Sequence, residues 1–452
     1  NRDGSFVEPK TIQRSLLMEY HKILKSDRLI DYDLLLYYSH ELLSENPSIP
    51  KILSNLFELI CVDEYQDTQD LLYAIISTIV KAGEGNSSLF LVGDVDQAIY
   101  QSLGGVAKSL DEIKIEIDNL PIEELTLSGN YRSNQRIIDF YRNFQNEDIE
   151  ITAIGKNAAE SGIITFNDSI SKSHLVDEIS RLIQLSLNKG ISENEICVLV
   201  PQWWLITSIA RKLKASLPDV NFDASGLAPM SRNRENIWYK LSRLLLTQPQ
   251  PKIYSLRYRW ANEIIELFRS HIKSDLKKPY ESERNLLRLL NSIESEKREG
   301  MDYLNDCFDQ FIREVGIDLS IYPKLETDRK TYFENVKSRL EDPDYNVPSD
   351  IESFKSFYRE MTGVVINTCV GVKGEEFETV ISFGLLNGYI PHWNEIFNGD
   401  PVEAARKLLY VICSRAKNNL HLISEYGRTT RRGDSLTITP ELEKVDFEYD
   451  EI

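Results

Sequence analysis

The chain has only five cysteines, Cys61, Cys197, Cys307, Cys369 and Cys413, and no two of them form a C-x-x-C pair. Scattered single thiols argue against a zinc site, an iron–sulfur cluster or a disulfide framework, and a reducing cytoplasm is the compartment they fit. No apolar run approaches the roughly 20 residues a membrane span needs, so no membrane partner is expected. The opening NRDGSFVEPK lacks both an initiator Met and the apolar core of a signal peptide, and the natural start is expected upstream. Also missing is any G-x-x-x-x-G-K-[ST], the loop whose backbone N–H groups and Lys cradle phosphates. Basic charge is scarce as well: 52 Lys and Arg stand against 71 Asp and Glu, a formal net charge of −19. Phosphate binding normally leaves a basic footprint, so a nucleic-acid partner requires a local one. Between Arg232 and Arg298 Lys and Arg do outnumber the acids, with Tyr254, Tyr258, Trp260 and Phe268 interleaved, whereas the tail ELEKVDFEYDEI is acidic.

What is present is ordinary globular composition, 42% hydrophobic and 27% charged, over 452 residues, a length that suits about three domains. Apolar runs ending in polar turns recur as LFELICV (56–62), SLFLVGD (88–94), EICVLVP (195–201), GVVINTC (363–369), ETVISFG (378–384) and NLHLIS (419–424), and read as buried strands. Between them RIIDFYRNF (136–144), LVDEISRLIQLSLN (175–188) and ITSIARKLKASL (206–217) repeat apolar residues at helical spacing. Alternating strands and helices imply an α/β fold with parallel sheets. From about Trp238 to Phe357 charged amphipathic helix takes over, and strand-type sequence returns at Val364, which reads as a helical insertion splitting the second α/β domain.

In FELICVDEYQDTQD an apolar strand ends in Asp63-Glu64. An acid at that position in nucleotide hydrolases holds Mg²⁺ through water, and the next can orient or deprotonate the attacking water. LFLVGDVDQAIY repeats the pattern, with Asp94, Asp96, Gln97 and Tyr100 after its strand. The amide of Gln97 can both accept from water and donate to a γ-phosphate. Asn130-Tyr131-Arg132-Ser133 lies between a short strand and a helix: Arg132 suits a phosphate and Tyr131 a stacked base, while Ser133 read alone is a helix cap. Lys373-Gly374-Glu375-Glu376-Phe377 precedes a strand; Gly374 permits close backbone approach to a ligand and Glu376 can accept from ribose hydroxyls, though KGEEF alone is a common surface turn. ARKLLYVICSRAKNNLHLIS carries Arg406 and Arg415 on a helix, where Arg415 is either an arginine finger or a solvated charge.

Taken in order, DEYQDTQ, VGDVDQAIY, NYRS, KGEEF and YVICSRA resemble the second to sixth motifs of superfamily 1 DNA helicases of the UvrD/Rep/PcrA kind. DYDLLLYYSHELL (31–43) and EICVLVPQWWLITSIARKL (195–213) are similar to further stretches of that family, and the resemblance runs over about residues 10–425. It implies two RecA-like P-loop motor domains, with a remnant of an accessory helical domain at 1–30, the first motor at 31–148, the second at 149–237 and 358–452, and an accessory insertion at 238–357. It implies ATP and Mg²⁺ as cofactors, Asp63 for the metal, Glu64 for the attacking water, Gln97 as γ-phosphate sensor, Arg132 and Arg415 on the γ-phosphate, Tyr131 on adenine and Glu376 on ribose. The expected activity is ATP-driven 3′-to-5′ movement on single-stranded or partly duplex DNA. The alternative is a helicase-like subunit that binds a nuclease or another partner in a repair or phage-defence complex.

The sequence departs from the family where Gln101-Ser102-Leu103 follows Tyr100 in place of an aromatic and an Arg, and where Val370-Gly371 replaces His-Ser. Loss of one stacking platform, worth roughly 1–3 kcal/mol, is expected to weaken strand binding by about one to two orders of magnitude. A partner, or the basic stretch at Arg257, Arg259 and Trp260, is the expected substitute for that grip. Because the acids lack a phosphate-cradling loop within this sequence, the 452-residue chain by itself is expected to show no DNA-stimulated ATP turnover. Robust turnover by the purified chain, in a phosphate-release assay with oligo-dT, would refute that expectation.

Overall fold

The computed structural model describes residues 11–100, 104–146, 149–224, 227, 230, 233, 235–271, 282–341, 349–356, 358, 363–430 and 432–452. The departure at Gln101, Ser102 and Leu103 lies outside these residues. By internal contacts the chain forms two compact units: unit 1 is Asn1–Ser169, Val372–Glu376 and Gly384–Ile452, and unit 2 is Ile170–Gly371 and Phe377–Phe383. The net charge divides very unevenly. Unit 2 holds 29 Lys and Arg against 30 Asp and Glu, leaving 23 against 41 in unit 1.

In unit 1, β1 (Leu59–Val62) and β2 (Ser88–Leu91) pair in parallel, with the helix Asp70–Ala82 as their crossover. The short strands β3 (Gly129–Asn130) and β4 (Thr152–Ala153) pair the same way around the helix Gln135–Tyr141, and β5 (Ile163–Asn167) follows. The helices Thr11–Asp27, Tyr32–Glu45 and Ser48–Leu56 precede β1. Asp31 starts the second of these by accepting the Leu34 N–H at 2.7 Å, which satisfies one of the donors a helix start leaves open.

Unit 2 is built on β6 (Ile196–Val200), β7 (Phe222–Asp223), β8 (Val364–Thr368) and β9 (Phe377–Ser382), in the order β9-β6-β8-β7 with every pairing parallel. β6 is buried at all five residues, as its unbroken apolar run ICVLV requires of a strand covered on both faces. The helix Leu175–Asn188 buries Leu175, Ile179, Leu182 and Ile183, one stripe at helical spacing. Between β7 and β8 come helices with their own core, in which Trp238, Phe268, Phe308, Phe311 and Phe354 meet. Gly300–Val315 supplies Leu304, Cys307, Phe308, Phe311 and Val315 from one face and ends on Gly316 in the left-handed conformation, φ 69°. The chain then returns to unit 1 through the helix Pro401–Cys413 and β10 (Ala416–Ile423), which pairs in parallel with β5. Among the described residues no helix is long and apolar enough to cross a membrane.

The basic stretch departs from its expected role in one respect. Arg257 is only 3% exposed: its guanidinium donates to Leu244 O at 2.9 Å, to Asn291 Oδ1 at 2.6 Å and to Thr247 O, and burial lowers its pKa. It lies one, two and three turns from Ala261, Ile264, Ile265 and Phe268, on the buried face of the helix Tyr254–His271. Trp260 packs partly buried against the helical core with the Arg243 guanidinium 4.7 Å from its ring centroid, whereas Arg259 is exposed. Arg257→Ala strips buried carbonyls of their donor, and a loss of about 2–3 kcal/mol is expected. Urea unfolding of the variant checks it; a change under about 0.5 kcal/mol, the usual surface range, would place Arg257 at the surface instead.

Candidate functional site

Asp63 and Glu64 directly follow β1, and Asp94 lies three residues past the end of β2, so both turns leave the same end of one parallel pair, where ligands of α/β sheets bind. Tyr65 N–H donates to Val92 O at 3.1 Å and ties the two turns together. Glu64 holds a left-handed backbone, φ 53° and ψ 46°, a conformation that costs a non-glycine residue on the order of 1 kcal/mol and that clusters at functional sites. Its N–H donates to Asp63 Oδ1 at 2.9 Å. The buried Gln66 donates from Nε2 to Glu64 Oε2 at 2.6 Å and accepts the Asp94 N–H on Oε1 at 3.1 Å. A side chain at Gly93 would collide with this amide, so the position requires glycine.

Asp94 organises the second turn by accepting the Asp96 N–H at 3.0 Å and Gln97 Nε2 at 2.8 Å. With its amide so oriented, Gln97 presents Oε1 to Arg415 Nη2 at 3.1 Å. Arg415 is not on the helix as expected; it follows the helix C-cap Ser414 and precedes β10, only 1% exposed. Its other contacts are Nε to Val411 O at 3.2 Å, Nη1 to Glu375 O at 3.3 Å and Nη2 to Ser414 Oγ at 3.0 Å. Burial first, and the nearby Arg132 second, push its pKa down to about 10. Arg406, on the helix, donates instead to the carbonyls of Phe144 and Gln145.

Arg132 is fixed at both ends. Asn130 Oδ1 accepts its N–H at 2.9 Å and Asn157 Nδ2 donates to its carbonyl at 2.7 Å, while Nε reaches Glu376 Oε2 at 2.9 Å and Nη1 reaches Ser414 O at 2.9 Å. Ser133 does not cap the following helix. Its Oγ donates to Ala416 O at 2.6 Å, and Asn134 is the cap, accepting the Ile137 N–H at 2.9 Å. Tyr131 is 75% exposed. Gly374 has φ 87° and open space where a side chain would project. Partial burial would raise the Glu376 carboxyl, but Arg132 and then Lys417, with Nζ at 3.6 Å, outweigh it and hold the group below its usual 4.5.

Sequence reasoning passes over Lys373. Its Nζ lies 3.2 Å from Glu64 Oε2, pairs with Asp67 Oδ2, donates to Gln97 O at 3.0 Å and sits 5.3 Å from the centroid of the half-buried Tyr100 ring. Unit 1 therefore gathers Glu64, Gln97, Arg132, Glu376 and Arg415 into one connected group, while Arg257, Arg259 and Trp260 belong to unit 2. Two guanidinium groups close enough for one to lower the pKa of the other, with a carboxylate and an amide beside them, suit an anion that spreads charge over several oxygens. A Mg²⁺ that takes most of its ligands from phosphate and water needs only one or two protein carboxylates, and exposed Asp63 beside Glu64 meets that demand.

A family model for the UvrD/REP helicase N-terminal domain matches residues 7–118. Among curated proteins the chain is 25% identical to the ATP-dependent DNA helicase PcrA of Leuconostoc citreum, over 94% of this chain and 62% of that protein. It is 24% identical to the ATP-dependent DNA helicase UvrD1 of Mycobacterium leprae (91% of this chain, 61% of that protein) and 24% identical to the ATP-dependent DNA helicase Rep of Buchnera aphidicola (93% and 71%). The chain thus spans under two thirds of the first two relatives. The fold is of the RecA-like helicase class, mixed α/β with parallel sheets flanked by helices. Within that class the matches, together with the motif residues just described, support a likeness to the UvrD-like superfamily 1 helicases.

A carboxyl held below its usual value stabilises the fold at pH above that value, and the contribution is lost as pH falls through the lower folded value. Glu376→Gln is accordingly expected to lower the melting temperature at pH 7 and to differ progressively less from wild type on acidification below about 4. Melting curves between pH 3 and 7 check this; a difference independent of pH would remove the Arg132–Glu376 pair as its cause.

Proposed function

We propose that this chain is the catalytic part of an ATP-dependent DNA helicase or translocase that moves 3′ to 5′ on single-stranded or partly duplex DNA in repair or defence, in the cytoplasm. The observation that carries the reading is Arg415, buried beside Arg132 and hydrogen-bonded to Gln97, in the same unit as the strand-end acids Asp63 and Glu64. Glu64 orients or deprotonates the attacking water, Gln97 reads the γ-phosphate, and Arg132 and Arg415 stabilise charge on the transferring phosphoryl group. Asp63 would hold Mg²⁺ through water; when bound, the ion neutralises phosphate charge. Exposed Tyr131 stacks on adenine, Gly374 lets the backbone come close to the nucleotide, and Glu376 accepts from ribose. Because Glu376 now pairs with Arg132, nucleotide binding exchanges one ion pair for two new contacts: Arg132 turns to phosphate and Glu376 to ribose. Tyr100 is assigned to nucleic acid, together with exposed Arg259 and the partly exposed edge of Trp260.

A second reading, a helicase-like subunit that binds a nuclease or another partner in a repair or phage-defence complex, is favoured by apolar surface in unit 1. Leu16, Met18 and Ile23 on the helix Thr11–Asp27, and Leu59 and Phe90 on β1 and β2, are exposed. Steady-state ATPase assays of a protein in which this chain is joined to a segment carrying a phosphate-binding loop, with and without single-stranded DNA, separate the two. Under the first reading DNA stimulates turnover, and Glu64→Gln keeps ATP binding while lowering kcat about 10²–10⁴-fold. Arg132→Ala and Arg415→Ala each lower kcat strongly and combine less than multiplicatively, since both act on one phosphoryl group. Near-normal kcat in Glu64→Gln, or small independent arginine effects, would overturn the assignment.

A further inference from the structure

Near its end the chain alternates in burial: Val445, Phe447 and Tyr449 are half-buried, and Asp446 and Glu448 between them are exposed, the period of an extended strand. Within unit 1 this segment lies against the helix Gln135–Tyr141 and β5. Phe447 stands edge-on to Phe140 with centroids 4.9 Å apart, and Tyr449 meets Phe140 at 5.9 Å and Phe166 at 5.4 Å. Arg136 engages three residues of the segment. Its guanidinium lies 5.6 Å from the Phe447 ring centroid, Nη2 donates to Glu448 O at 2.8 Å, and Nη1 donates to Asp450 Oδ1 at 3.0 Å. Asp450 completes the fit on β5, where its Oδ2 accepts the Ile164 N–H at 2.8 Å and its own N–H donates to Ile164 O at 2.8 Å. A carboxylate thus stands where a neighbouring strand would present a carbonyl, shared between a backbone donor and a guanidinium.

The fit is selective but lightly fastened. Asp450 to Ile164 is the one backbone–backbone hydrogen bond from residues 446–452 to β5 among the described residues. The Arg136–Asp450 pair stays 30% and 31% exposed, where an ion pair adds little. The Tyr449 hydroxyl is buried with no hydrogen-bond partner among the described residues, and burial pushes its pKa up to about 12. β5 pairs with β10 on one side, which leaves its other edge as a place where extended peptides add. We propose that the groove between the helix Gln135–Tyr141 and the outer edge of β5 is a binding site for an extended acidic peptide of a partner protein, with the pattern aromatic-x-aromatic-Asp, and that residues 447–450 are its resident occupant. A partner peptide with Phe in the place of Tyr449 keeps the ring contacts and removes the unpaired hydroxyl, an advantage that offsets the high effective concentration of a segment held in cis. The groove shares no residue with the group of Glu64, Gln97, Arg132, Glu376 and Arg415, so peptide binding is independent of either functional reading.

The test uses the full chain with two labelled peptides, VDFEYDEI, the chain's own 445–452 sequence, and the same peptide carrying Tyr449→Phe. Hydrogen exchange on the wild-type chain is expected to show residues 446–450 opening about 10²-fold or more as often as β10, the mark of local release, with excess Tyr449→Phe peptide exposing them further. By fluorescence anisotropy the Tyr449→Phe peptide binds about 5-fold or more tightly than the unaltered one. Asp450→Ala in the chain, which loosens the resident segment, tightens peptide binding about tenfold or more because the open groove is populated more often. Asp450→Ala in the peptide, or Arg136→Gln in the chain, removes saturable binding. The exchange measurement and the altered peptide need no chain variant, so they decide the matter should Arg136→Gln or Asp450→Ala fail to fold. Protection of residues 446–450 equal to that of β10 and unmoved by peptide, or no saturable binding to a folded Asp450→Ala chain, overturns the proposal. A wild-type dimer in light scattering that Asp450→Ala dissociates also overturns it, since the occupant in trans is then a second copy of this chain.

Discussion

Three buried or half-buried cations, Lys373, Arg132 and Arg415, hold unit 1 together at the place where its turns meet. Each is taken out of water at a cost that only close, well-directed acceptors offset. The acceptors lie far apart in sequence: Glu64, Asp67 and the Gln97 carbonyl for Lys373, Glu376 and the Ser414 carbonyl for Arg132, and Gln97 and the Glu375 carbonyl for Arg415. The ends of β1 and β2, the start of the helix Gln135–Tyr141, the segment Val372–Glu376 and the junction before β10 are thus fixed relative to one another. Any ligand that takes one cation must replace the contacts it breaks. Arg132 and Arg415 share Ser414, through its carbonyl and its hydroxyl, so a change at one guanidinium is felt at the other.

Much of the fold is legible in the sequence where burial is one-sided or complete. ICVLV becomes β6 because a strand covered on both faces has no polar residue to interrupt it, and LVDEISRLIQLSLN becomes a helix because its apolar residues form one stripe. β3, β4 and β7 are two residues long and offer no period to read, and β5 escapes because IITFN is a run of only five residues with three apolar ones. The strand expected before Asn130 shrinks to Gly129–Asn130, with Leu125 and Leu127 exposed.

The site divides in the same way. Asp63, Glu64, Gln97, Arg132, Glu376 and Arg415 stand out in sequence because residue type and order together mark them as candidates. Lys373 does not: a lysine in K-G-E-E-F looks the same whether it points to water or into a cage of carboxylates, and its hydrogen-bonded partners are 276 and 306 positions away. Arg257 carries two sequence signals that conflict. Basic and aromatic composition marked it as a surface contact, yet its spacing to Ala261, Ile264 and Phe268 puts it on the apolar face of its helix. Periodicity should outrank composition when a charged residue falls in register with a buried stripe, since the stripe fixes the direction of the side chain.

The acidity of the chain also has a physical resolution. A net charge of −19 would repel a polyanion if it acted as a uniform field, but at physiological salt the Debye length is about 8 Å, so distant acids are largely screened. What a phosphate meets is the local arrangement. In unit 1 that arrangement is two guanidinium groups and an ammonium, their neighbouring carboxylates engaged in ion pairs. Being buried, these cations are screened less than the surface acids around them, so their attraction persists where the repulsion fades. Unit 2, with Lys and Arg nearly balancing Asp and Glu, adds little to the net negative charge. An acidic protein can therefore bind anions at discrete places without a basic surface, at the expense of the long-range steering that a basic face would add.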